Sequence, residues 1–316
     1  NNQAVIDAAK EIKKLGYTLY PNFSKLFLEE GTTDTSNKEI ILKINYATDL
    51  RSSYMTMLWY HWNSFQTTLP MVESFFTANG LPIKTLEADG GGSIPKDASY
   101  DPDHPFSNRD PRLHMSILCP GSEYRLDAES RYQANWVPAS WANISGFRPK
   151  KGANEKLANT QNDGCDKIIM RYGEVLLAWA EAENELNGPA NVYPLIDELR
   201  NRMGMSTLSE SLPNLTKETM RALIRNERRV ELFHEGQRWL DIRRWKIAEK
   251  VMVDAIGLDV SKLKWYWNGN VTSDWKYESI IIDKRSFNKD RDYLWPIPQK
   301  EINANPMIKN DQNPNY

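Results

Sequence analysis

The sequence predicts a mainly α-helical protein with long, loop-rich excursions and a few short strands. Two observations carry this prediction. Apolar residues recur every three or four positions near the start of the chain and again over residues 166–256. Residues 50–165 largely lack such a period and contain a run dense in Gly, Pro, Asp and Ser. We therefore expect a helical scaffold over about residues 1–30 and 166–256, interrupted by a loop-rich region whose length itself suggests a function.

The first third of the chain begins with a helix. The segment QAVIDAAKEIKKL, residues 3–15, places its apolar residues on one face, and Gly16 is the glycine expected just past a helix end. A short strand follows in KEIILKINYA, residues 38–47, where apolar residues alternate with other residues.

Helical periodicity returns in the second half of the chain. We expect four helices, over residues 166–187, 191–204, 217–236 and 237 to about 256. Thr216 precedes the third, but Thr219 stands where a capping box has Glu or Gln, so the box is expected to be incomplete. The two antiparallel pairs look like helical-repeat units, and the first helix is expected to supply part of the stack. The Pro- and Asn-rich tail, residues 285–316, is expected to be extended.

Composition excludes several classes of function. The 316 residues include 40 basic and 42 acidic side chains without a long basic block, which argues against a nucleic-acid binder. Apolar runs stay below the roughly 18 residues of a membrane span. Because the chain begins at Asn1 without a signal peptide, we expect a piece of a longer protein.

Cys119 and Cys165 allow either one disulfide or two unrelated thiols, and the lack of a CxxC motif argues against zinc.

One charged stretch raises the question of chemistry. The segment RNERRVELFHEGQRWLDIRRW occupies residues 225–245. On a helical wheel, Glu227, Glu231 and His234 fall on the same side as the apolar residues. A carboxylate on a packed face must be paired, bound to a metal or protonated.

Three interpretations of this stretch compete. Glu231 and His234 have the Glu-x-x-His spacing of di-iron helical bundles, but a second copy is missing from the sequence. Glu227 and Glu231 resemble an acid–base pair, yet such a pair needs an open cleft. The favoured interpretation is a buried ion network, with Trp239 and Trp245 as core packing. The expected donors are Arg225, Arg228, Arg229, Arg238, Arg243 and Arg244, and the expected acceptors are Glu227, Glu231, Glu235 and Asp241.

Aromatic residues in polar stretches are the candidate binding residues. The chain has 11 Trp and 14 Tyr, whose flat apolar faces and polar edges suit sugar rings and protein partners alike. The first cluster, interpreted as a strand, is the favoured ligand site, and the third looks like a hairpin. Packing in the core or in a loop is the alternative for each Trp. The clusters are Trp59, Tyr60, His61, Trp62 and Asn63; then Trp136, Trp141 and Asn143; then Trp265, Tyr266 and Trp267.

Four ordered motifs resemble the SusD/RagB family. The stretch at 225–245 resembles the family signature R-x-E-R-x-x-E-L-x-x-E-G-x-R-W-x-D-L-x-R-W. NRDPRL at 108–113 resembles its central motif, IIMRYGEVLLAWAEAENEL resembles its RYAEVLLMYAEA helix, and YLWPIPQKEINANP resembles its tail. The resemblance covers nearly the whole chain. It implies the C-terminal part of one SusD-like domain: a tetratricopeptide-like helical scaffold, a ligand-side loop region at about 50–165 and a tail at 285–316.

The resemblance also implies a function. Members capture oligosaccharides, sometimes peptides, at the outer face of a Bacteroidetes-type outer membrane and pass them to a SusC-like TonB-dependent transporter. They are lipid-anchored through an N-terminal part that we expect to lie outside this chain. They bind without catalysis, and no cofactor, metal or nucleic acid is implied. The rival hypotheses are a peptide-binding member, a glycoside hydrolase and a helical-repeat adaptor for proteins.

Overall fold

The computed structural model describes residues 1–62, 64–122, 144–157, 162–259 and 278–316, and the backbone of strands Tyr124–Arg125 and Tyr132–Gln133. For residues 59–61 only the backbone is described. The fold is rich in helices with a few short strands, as predicted. None of the described helices is both long and apolar enough to cross a membrane.

The α-helices of the described residues are numbered in chain order. They are α1 Asn2–Lys14, α2 Phe23–Leu26, α3 Glu29–Thr32, α4 Leu69–Val72, α5 Pro111–Ser116, α6 Tyr172–Asn187, α7 Tyr193–Arg202, α8 Leu208–Ser211, α9 Lys217–Glu231, α10 Gln237–Arg244, α11 Ala248–Val251 and α12 Gln299–Ala304. A π-helix, Thr56–His61, lies between α3 and α4.

The strands form antiparallel pairs. They are β1 Ile40–Ile44, β2 Leu86–Glu87, β3 Ser93–Ile94, β4 Ile117–Leu118, β5 Tyr124–Arg125, β6 Tyr132–Gln133, β7 Arg148–Pro149, β8 Lys167–Arg171, β9 Ala255–Leu258 and β10 Ser279–Asp283. The pairs are β1 with β8, β2 with β3, β4 with β7, β5 with β6 and β9 with β10. Pairs as short as these depend on packing against the rest of the protein for their stability.

Helix α6 is the centre of the helical scaffold. It packs against α1, α7 and α9. Tyr172, Leu176 and Ala180 of α6 are fully buried, together with Leu199 of α7 and Leu223 of α9. Burying a leucine side chain contributes roughly 1.5–3 kcal/mol, so this core stabilises the helices far more than their intrinsic propensity does.

The predicted helix over residues 166–187 is wrong in its first turn and a half. Lys167–Arg171 is the strand β8, and α6 begins only at Tyr172. These residues form a strand and not a helix because β1 satisfies their backbone hydrogen-bonding groups and because Ile168 packs against Phe23 and Leu26.

The predicted ends of the later helices are also wrong. Helix α9 stops at Glu231, since His234 and Gly236 adopt the left-handed backbone with φ of 65° and 87°. The helix predicted over 237–256 breaks at Lys246, where φ is 54°, and its last residues form β9. The predicted helix over 191–204 is shorter, Tyr193–Arg202, and follows a turn of 3₁₀ helix.

The capping box of α9 is complete, so the prediction of an incomplete box is wrong. The Thr216 hydroxyl accepts a hydrogen bond from the Thr219 amide at 3.2 Å, and the Thr216 amide donates to the Thr219 hydroxyl at 2.9 Å. A threonine hydroxyl therefore serves here in place of the usual glutamate side chain.

The C-terminal tail is more structured than predicted. It contains α12, whose Ile302 is buried. The Gln312 side chain accepts from the Ile297 amide at 2.8 Å and donates to the Ile297 carbonyl at 3.0 Å. These two bonds fold the end of the chain back on itself.

Both cysteines are free, buried thiols, so the alternative of two unrelated thiols is correct. Burial raises the pKa of Cys119 to about 12 and also raises that of Cys165. A thiol that stays protonated is a poor nucleophile, and neither cysteine is expected to react.

A cluster of buried charges lies where the scaffold meets the loop-rich region. The Glu231 carboxylate accepts hydrogen bonds from Arg171 at 2.8 Å, Arg202 at 2.6 Å and Arg112 at 2.8 Å, and its side chain is 0% exposed. Each donor comes from a different element. We call the following residues the ionic cluster: Glu39, Asp110, Arg112, Lys151, Arg171, Arg202, Glu227, Glu231 and Glu235.

Arg171 is the most heavily bonded donor of the ionic cluster. It donates to Glu39 at 2.7 Å and to both carboxylate oxygens of Glu235 at 2.6 and 2.7 Å. A Cβ on Gly173 would lie 2.4 Å from Arg171 Nη1 and 3.2 Å from Glu231 Oε1. A side chain at this position would therefore press against the guanidinium, which would have to shift within the ionic cluster.

The predicted ion network exists, but most of its donors were assigned wrongly. Arg228 and Arg244 do bind Asp241, at 2.9 Å each. Glu227 and Glu231 bind arginines from outside the 225–245 stretch, and these arginines come from α5, β8 and α7. Arg225 pairs with Asp89, and Arg243 donates to the Tyr293 carbonyl.

We predict that Glu231→Gln lowers the free energy of unfolding by about 3–5 kcal/mol, because it removes the negative charge that three buried arginines share. Urea denaturation monitored by circular dichroism measures the change. Glu11→Gln is the control, since Glu11 forms an exposed pair with Lys14 and its loss is expected to cost about 0.5 kcal/mol or less. Equal stability of the two variants would contradict a supporting role for the ionic cluster.

The effect of Glu231→Gln should depend on pH. Burial alone would raise the pKa of Glu231, but Arg202, Arg171 and Arg112 outweigh burial and hold the pKa well below its usual 4.5. The carboxylate therefore stabilises the fold above pH 4.5, and this contribution is lost as the pH falls through the folded pKa. The difference between wild type and variant is expected to shrink between pH 4.5 and pH 3. A pH-independent difference would show that the lost interaction is not ionic.

Candidate functional site

The first predicted aromatic cluster does not form a strand. Residues Thr56–His61 form a π-helix, in which the Trp62 amide bonds the Met57 carbonyl at 2.8 Å. Single turns of π-helix are frequent at functional sites. Trp59, Tyr60 and His61 contribute backbone to this turn, while their side chains and Asn63 lie outside the described part of the chain. Trp62 follows the turn with its side chain 53% exposed.

The other two clusters lie outside the described residues. They are Trp136, Trp141 and Asn143 in the segment 134–143, and Trp265, Tyr266 and Trp267 in the segment 260–277. Their roles, and the predicted hairpin of the third cluster, stay predictions.

The described ends of the three aromatic segments meet at one place. The Ser145 amide, two residues after Asn143, donates to the Gln66 side chain at 3.0 Å, and Gln66 follows the first cluster. The Ser145 carbonyl accepts from the Leu258 amide at 2.9 Å, and Leu258 precedes the third cluster. A Cβ on Gly257 would lie 2.7 Å from Ser145 Cα. Three segments far apart in sequence are thereby anchored side by side.

A cavity of about 710 Å³ adjoins this anchor point. Its walls come from Met55 and residues 65–71, which flank the π-helix in sequence, from α9, α10 and the turn between them, and from residues 250–256 and Arg285. The walls are mainly apolar, and the volume falls in the range of small-molecule sites. Apolar lining residues include Met55, Phe65, Met71, Phe233, Trp239 and Ile256.

The charged stretch at 225–245 forms one wall of this cavity. Leu232, Phe233, His234 and Trp239 all line it, which sequence reasoning did not foresee. The expectation that Trp239 is core packing is wrong, because its half-buried ring lies at the cavity, 6.4 Å from that of Trp295. Trp245 is also half-buried, and its indole nitrogen donates to Glu181 at 2.9 Å.

His234 packs between aromatic rings and is uncharged at neutral pH. Its ring packs 4.9 Å from Phe233 and 6.3 Å from Phe65, measured between ring centres. Burial and the charge of Lys151 lower the pKa of His234 to about 4, so the imidazole is neutral at pH 7. Glu231, its partner in the metal interpretation, is held by three arginines. Within the described residues, no group of three or more His, Cys, Asp or Glu is placed to hold a metal ion.

Arg229 and Arg238 also line the cavity and were assigned to the wrong role. They were predicted to be donors of the buried network. The helical wheel already indicates a different position for Arg229, because this residue is two positions from both Glu227 and Glu231. Two positions are about 200° of rotation, which points Arg229 to the opposite face of α9.

Known proteins of one family match this chain. The SusD family matches residues 27–316. SusD-like protein P25 of Formosa agariphila is 31% identical over 147 residues, which cover 46% of this chain and 24% of that protein.

Solved structures of SusD-like proteins superpose on this chain. A SusD-like protein from Bacteroides fragilis superposes with a TM-score of 0.76 at 24% identity, covering 100% of this chain and 62% of that one. A SusD-like carbohydrate binding protein from Bacteroides fragilis superposes with a TM-score of 0.68 at 26% identity, covering 95% and 60%.

The chain belongs to the SusD family, as its four motifs predicted. The tetratricopeptide-like helical scaffold implied by the resemblance is confirmed by these neighbours. The chain spans less than two thirds of the length of the relatives described above.

We predict that Gly257→Ala loosens the anchor point of the aromatic segments, because its methyl group overlaps Ser145 Cα. The expected cost is about 1–3 kcal/mol of unfolding free energy. Hydrogen exchange should quicken at the Leu258 and Ser145 amides, while the amides of the β1–β8 pair keep their wild-type rates. Unchanged exchange at Leu258 would mean that the contact between Gly257 and Ser145 does not hold the segments together.

Proposed function

We propose that this protein captures oligosaccharides at the bacterial cell surface and delivers them to a SusC-like TonB-dependent transporter. It acts without catalysis, cofactor or metal, from the extracellular face of the outer membrane, where the whole protein is lipid-anchored. The observation that carries the proposal is membership of the SusD family over residues 27–316. Relatives described as carbohydrate binding or surface glycan-binding support it.

The shared anchor of the aromatic segments supports a location for the ligand. Gln66, Ser145 and Leu258, which flank the three segments in sequence, are joined by hydrogen bonds. Sugars bind proteins through ring faces stacked on aromatic side chains and through hydroxyl hydrogen bonds. The exposed Trp62 and the adjoining apolar cavity offer such surfaces. We place the ligand across this face.

The rival functions receive less support. A glycoside hydrolase needs two carboxyl groups about 5–10 Å apart across an open cleft. Glu227 and Glu231, the pair considered for that role, are buried and bound to arginines. A peptide-binding member of the same family is the second candidate, since an apolar cavity suits peptide side chains as well.

Binding of oligosaccharides tests the proposal directly. A glycan array should identify a bound oligosaccharide, and calorimetry should then compare wild type with Trp62→Ala. Loss of one stacking face is expected to weaken binding about tenfold. Tyr316→Ala is the matched control, because Tyr316 is a similarly exposed aromatic residue, 47%, on the C-terminal tail.

The possible results separate the hypotheses. Binding that is unaffected by Trp62→Ala would move the ligand away from the first cluster. Peptides bound in preference to every glycan would favour the peptide-binding alternative. New reducing ends released from a bound glycan would contradict the non-catalytic role.

A further inference from the structure

Two arginines at the cavity have no counter-charge in the described part of the chain. Arg229 projects from α9 and Arg238 from α10, and both line the 710 Å³ cavity and a second one of about 240 Å³. Among the described residues, neither guanidinium lies within 4 Å of a carboxylate or donates a hydrogen bond. The buried Arg112, Arg171 and Arg228, by contrast, have carboxylate partners.

The carboxylates nearest these two arginines are already occupied. Asp241 is shared between Arg228 and Arg244. Glu73 pairs with Lys84 at 2.6 Å, and Asp89 pairs with Lys250 and Arg225 at 2.6 and 3.1 Å. Asp254 also lines the larger cavity, and Glu87 and Glu218 line the smaller one, but no ion pair joins them to either arginine within the described residues.

The pair creates a positive potential at the cavity wall. Burial and the neighbouring Arg238 lower the pKa of Arg229 to about 9, which leaves the group protonated at pH 7. Both side chains are partly buried, and two neighbouring cations without a carboxylate partner attract an anion. Guanidinium groups present planar forks of donors that fit carboxylate and sulfate oxygens.

We propose that Arg229 and Arg238 form an anion subsite that makes this protein selective for acidic oligosaccharides, those bearing a uronate carboxylate or a sulfate ester. The apolar rings of Phe233 and Trp239 at the same cavity would accommodate the sugar ring while the arginines bind its charged group. This inference rests on the proposed capture of oligosaccharides and adds the chemistry of the ligand.

The test compares saccharides that differ only in charge. Calorimetry is performed with a galacturonate pentamer and its fully methyl-esterified form, and with a sulfated oligosaccharide and its desulfated form. Wild type is expected to bind an acidic form at least tenfold more tightly than its neutral counterpart, and less tightly as salt increases. Arg229→Gln and Arg238→Gln should each weaken that binding about tenfold. Lys14→Gln, the same charge change at an exposed residue of α1, should have no effect.

Melting temperatures without ligand distinguish binding from architecture. Removing an unpaired, partly buried charge is expected to leave the melting temperature unchanged or higher. A fall in melting temperature in both arginine variants, with wild-type binding retained, would overturn the subsite. Equal binding of the neutral and acidic forms would overturn the charge selectivity and leave capture intact. If no saccharide binds, or only an acidic peptide does, both proposals fail.

Discussion

Neutralisation of Glu231 is the interaction on which the rest of this structure depends. A carboxylate with 0% exposure requires counter-charges, and it receives them from α5, from the end of β8 and from the end of α7. The loop-rich region, through Arg112, and the helical scaffold, through Arg171 and Arg202, are therefore joined at one side chain. The close packing around it includes Gly173, where an added Cβ would press against the Arg171 guanidinium.

The 225–245 stretch serves two purposes on its two faces. Glu227 and Glu231 point into the ionic cluster, while Arg229 points towards the cavity. The turn between α9 and α10 connects these environments, because Glu235 bonds Arg171 while Phe233 and His234 line the cavity. The ionic cluster and the cavity wall are thus separated by the rotation of one helix rather than by distance along the chain.

The sequence predicted the fold class, the inward position of Glu227 and Glu231, and the family, because each depends on local periodicity or on motif order. It did not predict β8, since Lys167–Arg171 is a strand only through its pairing with β1, more than a hundred residues away. Nor did it predict the donors of Glu231, which lie far from Glu231 in sequence. His234 and Lys246 adopt the left-handed backbone where helices end. Because neither residue is a glycine, the sequence gives no sign of this conformation. The cavity was missed because its walls come from four separate segments.

The shared turn between the ionic cluster and the cavity limits how this protein can change its ligand. Substitutions at residues 231–235 act on the folded state as well as on the cavity, so mutational drift on that wall is constrained by stability. Met55, Phe65 and Met252 line the cavity from other segments and carry no charge of the ionic cluster. If the ligand occupies this cavity as proposed, we expect new specificities to arise through substitutions at these residues rather than on the α9 wall.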